Sequence, residues 1–161
     1  MAALDVGTAL SSLRTMLSGL SAWQTICGVA TSAEAIRKIH YGAVELDPEE
    51  PEASNNPCII LDITSLSTTW KANRLHGTAV FEIRFYLEMP DAQKATYSTQ
   101  YLWVWQKQSA MLDALNTALS RDGGEMVNTL DVPLLPGRID PDQNGGGNEW
   151  NFVLSLGVDF I

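Results

Sequence analysis

The side chains able to do chemistry are few, and their spacing limits what they can do. Cys27, Cys58, His40 and His76 are the only cysteines and histidines. Zinc centres take such ligands in close pairs. Here the intervals are wide and irregular, so no metal centre is expected. Nucleophilic catalysis needs a serine or thiol held against an oriented base. No Gly-x-Ser-x-Gly elbow occurs, and Cys58 opens the apolar run CIILDI. Both cysteines therefore read as small buried thiols, since a free cysteine behaves as a small hydrophobe. Two are too few for a disulfide framework.

The carboxylates suggest solvation rather than acid–base work. Glu45, Asp47, Glu49, Glu50 and Glu52 crowd into ELDPEEPEASNNP with Pro48, Pro51 and Pro57 and no basic residue. Like charges and proline predict a loop projecting into water or into a wide channel. Asp62, Glu82 and Glu88 fall on the polar side of predicted strands, where Arg84 can balance them. Catalytic pairs need environments that push two pKa values apart, and these positions offer none. Gly145, Gly146 and Gly147 lead into a strand pattern with no Gly-Lys-Ser/Thr, so they read as a hairpin turn and not a phosphate loop. No catalytic residue and no cofactor is expected.

The net charge of −9 argues against a sequence-independent nucleic-acid surface: the ten basic residues are scattered among nineteen acids. No apolar run approaches the ~20 residues of a membrane span. Asp5 and Arg14 interrupt the N-terminal apolar stretch, which is not the pattern of a secretory leader, so a cytoplasmic setting is expected.

The elements that position these residues follow from periodicity. Val6, Leu10, Leu13, Leu17 and Leu20 recur at helical spacing, with Gly19 and Gly28 bracketing the helix end and Trp23 and Ile26 continuing the apolar side. A short strand is predicted over residues 36–44. Ile59, Leu61 and Ile63 alternate with Ile60, Asp62 and Thr64 over 57–65. Ala79, Phe81, Ile83, Phe85 and Leu87 do so more sharply over 78–88. Between these two strands KANRLHG predicts a hairpin with a long tip. Residues 96–121 form a second helix, whose stripe runs through Tyr101, Trp105, Gln108, Leu112, Leu115 and Leu119. Gly123 and Gly124 stop it, and Trp103 and Val104 fall partly off the stripe. Residues 129–139 carry Pro133 and Pro136, the mark of an edge strand. Trp150, Phe152, Leu154, Leu156, Val158 and Phe160 give the clearest alternation. The expected fold is a single α+β domain over 1–161, order α-β-β-β-α-β-β, with a mainly antiparallel sheet and two helices on one face.

Five tryptophans exceed what that core needs. Trp70 lies in the polar stretch TTWKANR, and Trp103 and Trp105 are too close on one helix to share a core. Aromatics beyond core demand are enriched at interface centres, so Trp70 and Trp103 are candidate contacts for self-assembly.

The segments LSSLRTMLSGL, AVFEIRFYLEMP with YLWVWQKQSAMLDALNTAL, and EWNFVLSLGVDFI, in that order, resemble the tail terminator (head-to-tail joining, or tail completion) proteins of long-tailed bacteriophages. The resemblance spans nearly the whole chain and rests on element order and patterning. It implies a structural, non-enzymatic protein of the virion, made in the host cytoplasm. Such a protein forms a ring, typically a hexamer, that caps the tail tube and docks it to the head connector or neck, with DNA passing through unbound. Under it, Glu45, Asp47, Glu49, Glu50 and Glu52 would line the lumen. A head completion, neck or minor tail protein is the neighbouring reading. A small-ligand-binding or enzymatic α+β domain is the distant one, and it would require a polar cluster on a buried strand face, which the sequence lacks.

Overall fold

A computed structural model describes residues 5–42, 57–123, 127–138 and 149–160. The acidic segment 45–52 and the triple glycine 145–147 lie outside the described residues.

The N-terminal apolar stripe folds as two helices, α1 (Val6–Gly19) and α2 (Ser21–Cys27). Leu20 is extended and separates them. Asp5 caps α1, its carboxylate accepting from the Thr8 N–H at 2.9 Å. Gly28 ends α2 at φ 66, a left-handed conformation that glycine adopts without steric cost. A third short helix, α3 (Ser32–Ala35), passes into a 3-10 turn over Ile36–Lys38.

The strand predicted over 36–44 is thus reduced to β1 (Ile39–Tyr41). Its start is fixed by Arg14 of α1. That guanidinium donates to the Ile36 and Ile39 carbonyls at 3.1 and 2.9 Å and lies over the Tyr41 ring at 5.2 Å. The long strands follow: β2 (Cys58–Lys71) and β3 (Arg74–Glu88). After a 3-10 turn comes α4 (Tyr97–Ala118), capped by Thr96, whose hydroxyl accepts from the Thr99 N–H at 3.2 Å. A π turn at Leu119–Gly123 ends it. Strands β4 (Val127–Arg138) and β5 (Glu149–Phe160) complete the sheet.

The five strands make one sheet in the order β1-β2-β3-β5-β4, confirming the α+β class and the succession α-β-β-β-α-β-β. Three of its pairings are antiparallel, but β1 runs parallel to β2, so the sheet is mixed. The helical complement is also larger than two, because the first segment breaks at Leu20 and α3 follows it. β4 is an edge, with register shifts at 131/134 and 134/137 flanking Pro133 and Pro136.

The core lies between one sheet face and the helices. Phe85 pairs with Phe152 across β3 and β5, the rings stacked at 4.4 Å, and Trp23 of α2 meets Phe85 edge-on at 6.0 Å. Trp23 donates its indole N–H to the Ala35 carbonyl. Trp150 donates to the Gln100 side chain, seating α4 over the end of β5. The buried line of α4 is Gln100, Val104, Gln108, Met111, Leu115 and Ala118. It is rotated from the predicted stripe: Val104 is central, and Tyr101 and Trp105 sit on its flank, half-buried.

Candidate functional site

The predicted long hairpin tip does not exist. β2 and β3 continue toward each other until Lys71 pairs with Arg74. The chain reverses through Ala72 and Asn73 alone, both at positive φ (48 and 61), as a two-residue turn of type I′ requires. Every residue from Ile63 to Arg74 is exposed, so this half of the hairpin extends beyond the helical layer as an arm. At a strand rise near 3.3 Å per residue, Ile63–Lys71 reaches about 30 Å.

The arm has two unlike faces. Thr64 is an extra residue between the pairs Ile63↔Phe81 and Ser65↔Val80, a β-bulge that resets the alternation. Beyond it, Leu66 pairs with Ala79, Thr68 with Gly77 and Trp70 with Leu75. Ala79 shares its face with Phe81, Ile83 and Phe85, so Leu66, Trp70 and Leu75 prolong the core face of the sheet past its helical cover. Leu66 remains 53% exposed and Trp70 72%. The reverse face presents Ser65, Ser67, Thr69, Lys71, Arg74 and His76.

Of the two predicted contact aromatics, the structure brings Trp70 out on this arm. It holds Trp103 half-buried on α4, with the Lys107 ammonium 5.5 Å from its ring centre. A second aromatic surface lies on α4, where Tyr97, Tyr101 and Trp105 follow at four-residue spacing. Their neighbouring rings lie 6.1 and 6.2 Å apart. Tyr97 is 60% exposed and Leu102, beside this ladder, 62%.

The remaining candidates for chemistry stay apart. Among the described residues, no three His, Cys, Asp or Glu side chains gather in a way that could hold a metal ion. His76 is on the arm, whereas Cys58 begins β2 at the other end of that strand. Burial pushes the Cys27 thiol up to about 12 against the opposing pull of Lys38, which keeps it protonated and unreactive at neutral pH. Asp62 and Glu82 stand opposite each other across β2 and β3. Glu82 is taken by the Arg84 guanidinium, and Asp62 accepts from the Ile63 N–H at 2.8 Å. A hydrogen bond to Glu82 holds the Arg84 guanidinium above its ordinary range.

Sequence reasoning missed Leu66, Leu75 and the arm itself. The signal was present: apolar positions 59, 61 and 63 are followed by 66 and 70, the one-residue phase shift of a bulge. No known family model matches the chain, and no curated protein matches it.

Proposed function

We propose that this chain is a structural, non-enzymatic protein of a long-tailed bacteriophage. In this reading it is a tail terminator that forms a ring, with six copies as the typical number, on the finished tail tube and joins it to the head connector. DNA passes through the ring unbound. The supporting observation is the arm: a sheet face built like a core, bearing Leu66 and Trp70, with nothing of its own chain over it among the described residues. Surface of that kind costs solubility unless another molecule covers it. An acidic chain carrying a bare apolar arm suits repeated copies better than a solitary enzyme. Element order and patterning add the phage station.

Negative-stain microscopy of the purified protein, alone and mixed with isolated tail tubes, tests this. Rings with a central channel, seated on tube ends, are the expected result. Rings that bind connectors and ignore tubes would move the protein to a head completion or neck station. A particle that stays monomeric and leaves tubes bare overturns the assembly reading.

A further inference from the structure

We infer that copies join head to tail, the apolar face of one copy's β2–β3 arm docking on the aromatic flank of α4 in the next; this rests on the assembly reading above and names its contact. The donor is Leu66, Trp70 and Leu75, and Lys71 and Arg74 flank the turn at the tip from the reverse face. From Ile63 to Thr78 there is no acidic residue and these two cations are the only Lys or Arg. The rest of the chain therefore keeps eight basic and nineteen acidic side chains, a net charge of −11. An arm of that composition is attracted to the body of its own kind.

The acceptor is the ladder Tyr97, Tyr101 and Trp105 with exposed Leu102 beside it. Exposed Glu88 and Asp91 lie in the chain between β3 and that helix, Glu88 at the end of β3 and Asp91 in the 3-10 turn. Asp91 holds Lys94 at 2.6 Å, which leaves Glu88, on the opposite sheet face from Leu87, as the unpaired charge of the two among the described residues. An apolar arm with two cations at its tip thus meets an aromatic flank on an acidic body.

Their positions forbid contact within one molecule. Tyr97 and Tyr101 pack on Trp150 at 5.6 and 6.1 Å, and Trp150 pairs with Leu87 near the end of β3. The arm tip, Arg74, begins the same strand. β3 separates the two by on the order of 45 Å. A donor and an acceptor at opposite ends make a heterologous contact, which repeats from copy to copy and closes into a ring when the rotation permits. The other sheet edge offers no such seat, since Pro133 and Pro136 interrupt β4.

Two variants test the contact. The arm variant combines Trp70→Ala, Lys71→Glu and Arg74→Glu; the acceptor variant combines Tyr97→Ala, Leu102→Ser and Glu88→Lys. All six positions are exposed, so both should keep the parental melting curve. Sedimentation, alone and on tail tubes, should show each variant associating about thirtyfold more weakly than the parent or worse. An equimolar mixture should give a heterodimer and nothing larger, because one intact donor and one intact acceptor remain. Assembly of either variant at parental affinity overturns the inference, as does dimerisation of the acceptor variant by itself, which would mean arm-to-arm pairing. An arm variant that assembles normally but no longer retains double-stranded DNA makes the arm a nucleic-acid contact and also overturns it. If the parent itself never assembles, alone or on tubes, the functional reading falls as well; if only the variants behave like the parent, that reading stands.

Discussion

Gln108 sits in the buried line of α4 at 1% exposure, and neither its amide nitrogen nor its oxygen has a hydrogen-bond partner among the described residues. A buried amide left unpaired costs about 1–3 kcal/mol. Gln108→Met, close in shape and without the polar atoms, should therefore stabilise the fold by that amount. This amounts to roughly 2–4 °C of melting temperature per kcal/mol for a chain of this size. A lower melting point would show that the amide is satisfied. Gln100, two steps back along the same buried line, is the contrasting case: it donates to the Lys94 carbonyl and accepts from Trp150. Cys27 supplies a second test at this scale. A thiol whose pKa is raised to about 12 should react with iodoacetamide at pH 8 at least about a hundredfold more slowly than an unhindered one, through its small thiolate fraction. The sign for stability follows from the raised value. The contribution of the neutral thiol is full below the unfolded value near 9 and is lost as the pH climbs toward 12. Alkylation of the native protein at the rate of an unhindered thiol would contradict the burial.

The arm is the element whose construction is most exposed to change. Its turn places Ala72 at φ 48, where the methyl group crowds the following carbonyl, at a cost of about 1–2 kcal/mol for an L-residue. Ala72→Gly should relieve part of that, less the larger chain entropy that glycine loses on ordering. Because residues 63–74 lie outside the core, the gain should appear locally. Amide exchange should slow from Ser65 to Thr78 while the global melting temperature stays within about 2 °C. Faster exchange in the arm would exclude the two-residue turn.

At the scale of the whole molecule, β5 decides whether there is a fold. It lies between β3 and β4, and Trp150, Phe152, Leu154, Leu156, Val158 and Phe160 are all buried on the helix-covered face. Each contributes roughly 1.5–3 kcal/mol when fully buried, against a total margin of about 5–15 kcal/mol. A chain ending before Trp150 should show no cooperative thermal transition by circular dichroism. Its place between β3 and β4 makes β5 part of each copy's own fold, in contrast to the exposed β2–β3 arm. A truncated protein melting near the parental temperature would reverse that assignment.

Periodicity alone determined the class of the fold and the identity of most core residues. Strict alternation in Phe81–Leu87 and Trp150–Phe160 has no helical alternative, and helical spacing from Val6 to Leu20 has no strand alternative. Local chemistry also placed Pro133 and Pro136 on an edge. What it could not supply was anything set by distant partners. The parallel seat of β1 comes from Arg14 gripping carbonyls 22 and 25 residues away. The azimuth of α4 was set by the tertiary packing around Val104, which overrode a stripe drawn through Tyr101 and Trp105. The arm was hidden for a related reason. Leu66 and Trp70 lie among serines and threonines, and only pairing with β3 across the bulge at Thr64 aligns them with the core face. A sequence shows which residues are apolar; the register of two strands decides which of them share a surface and whether a helix reaches far enough to cover it.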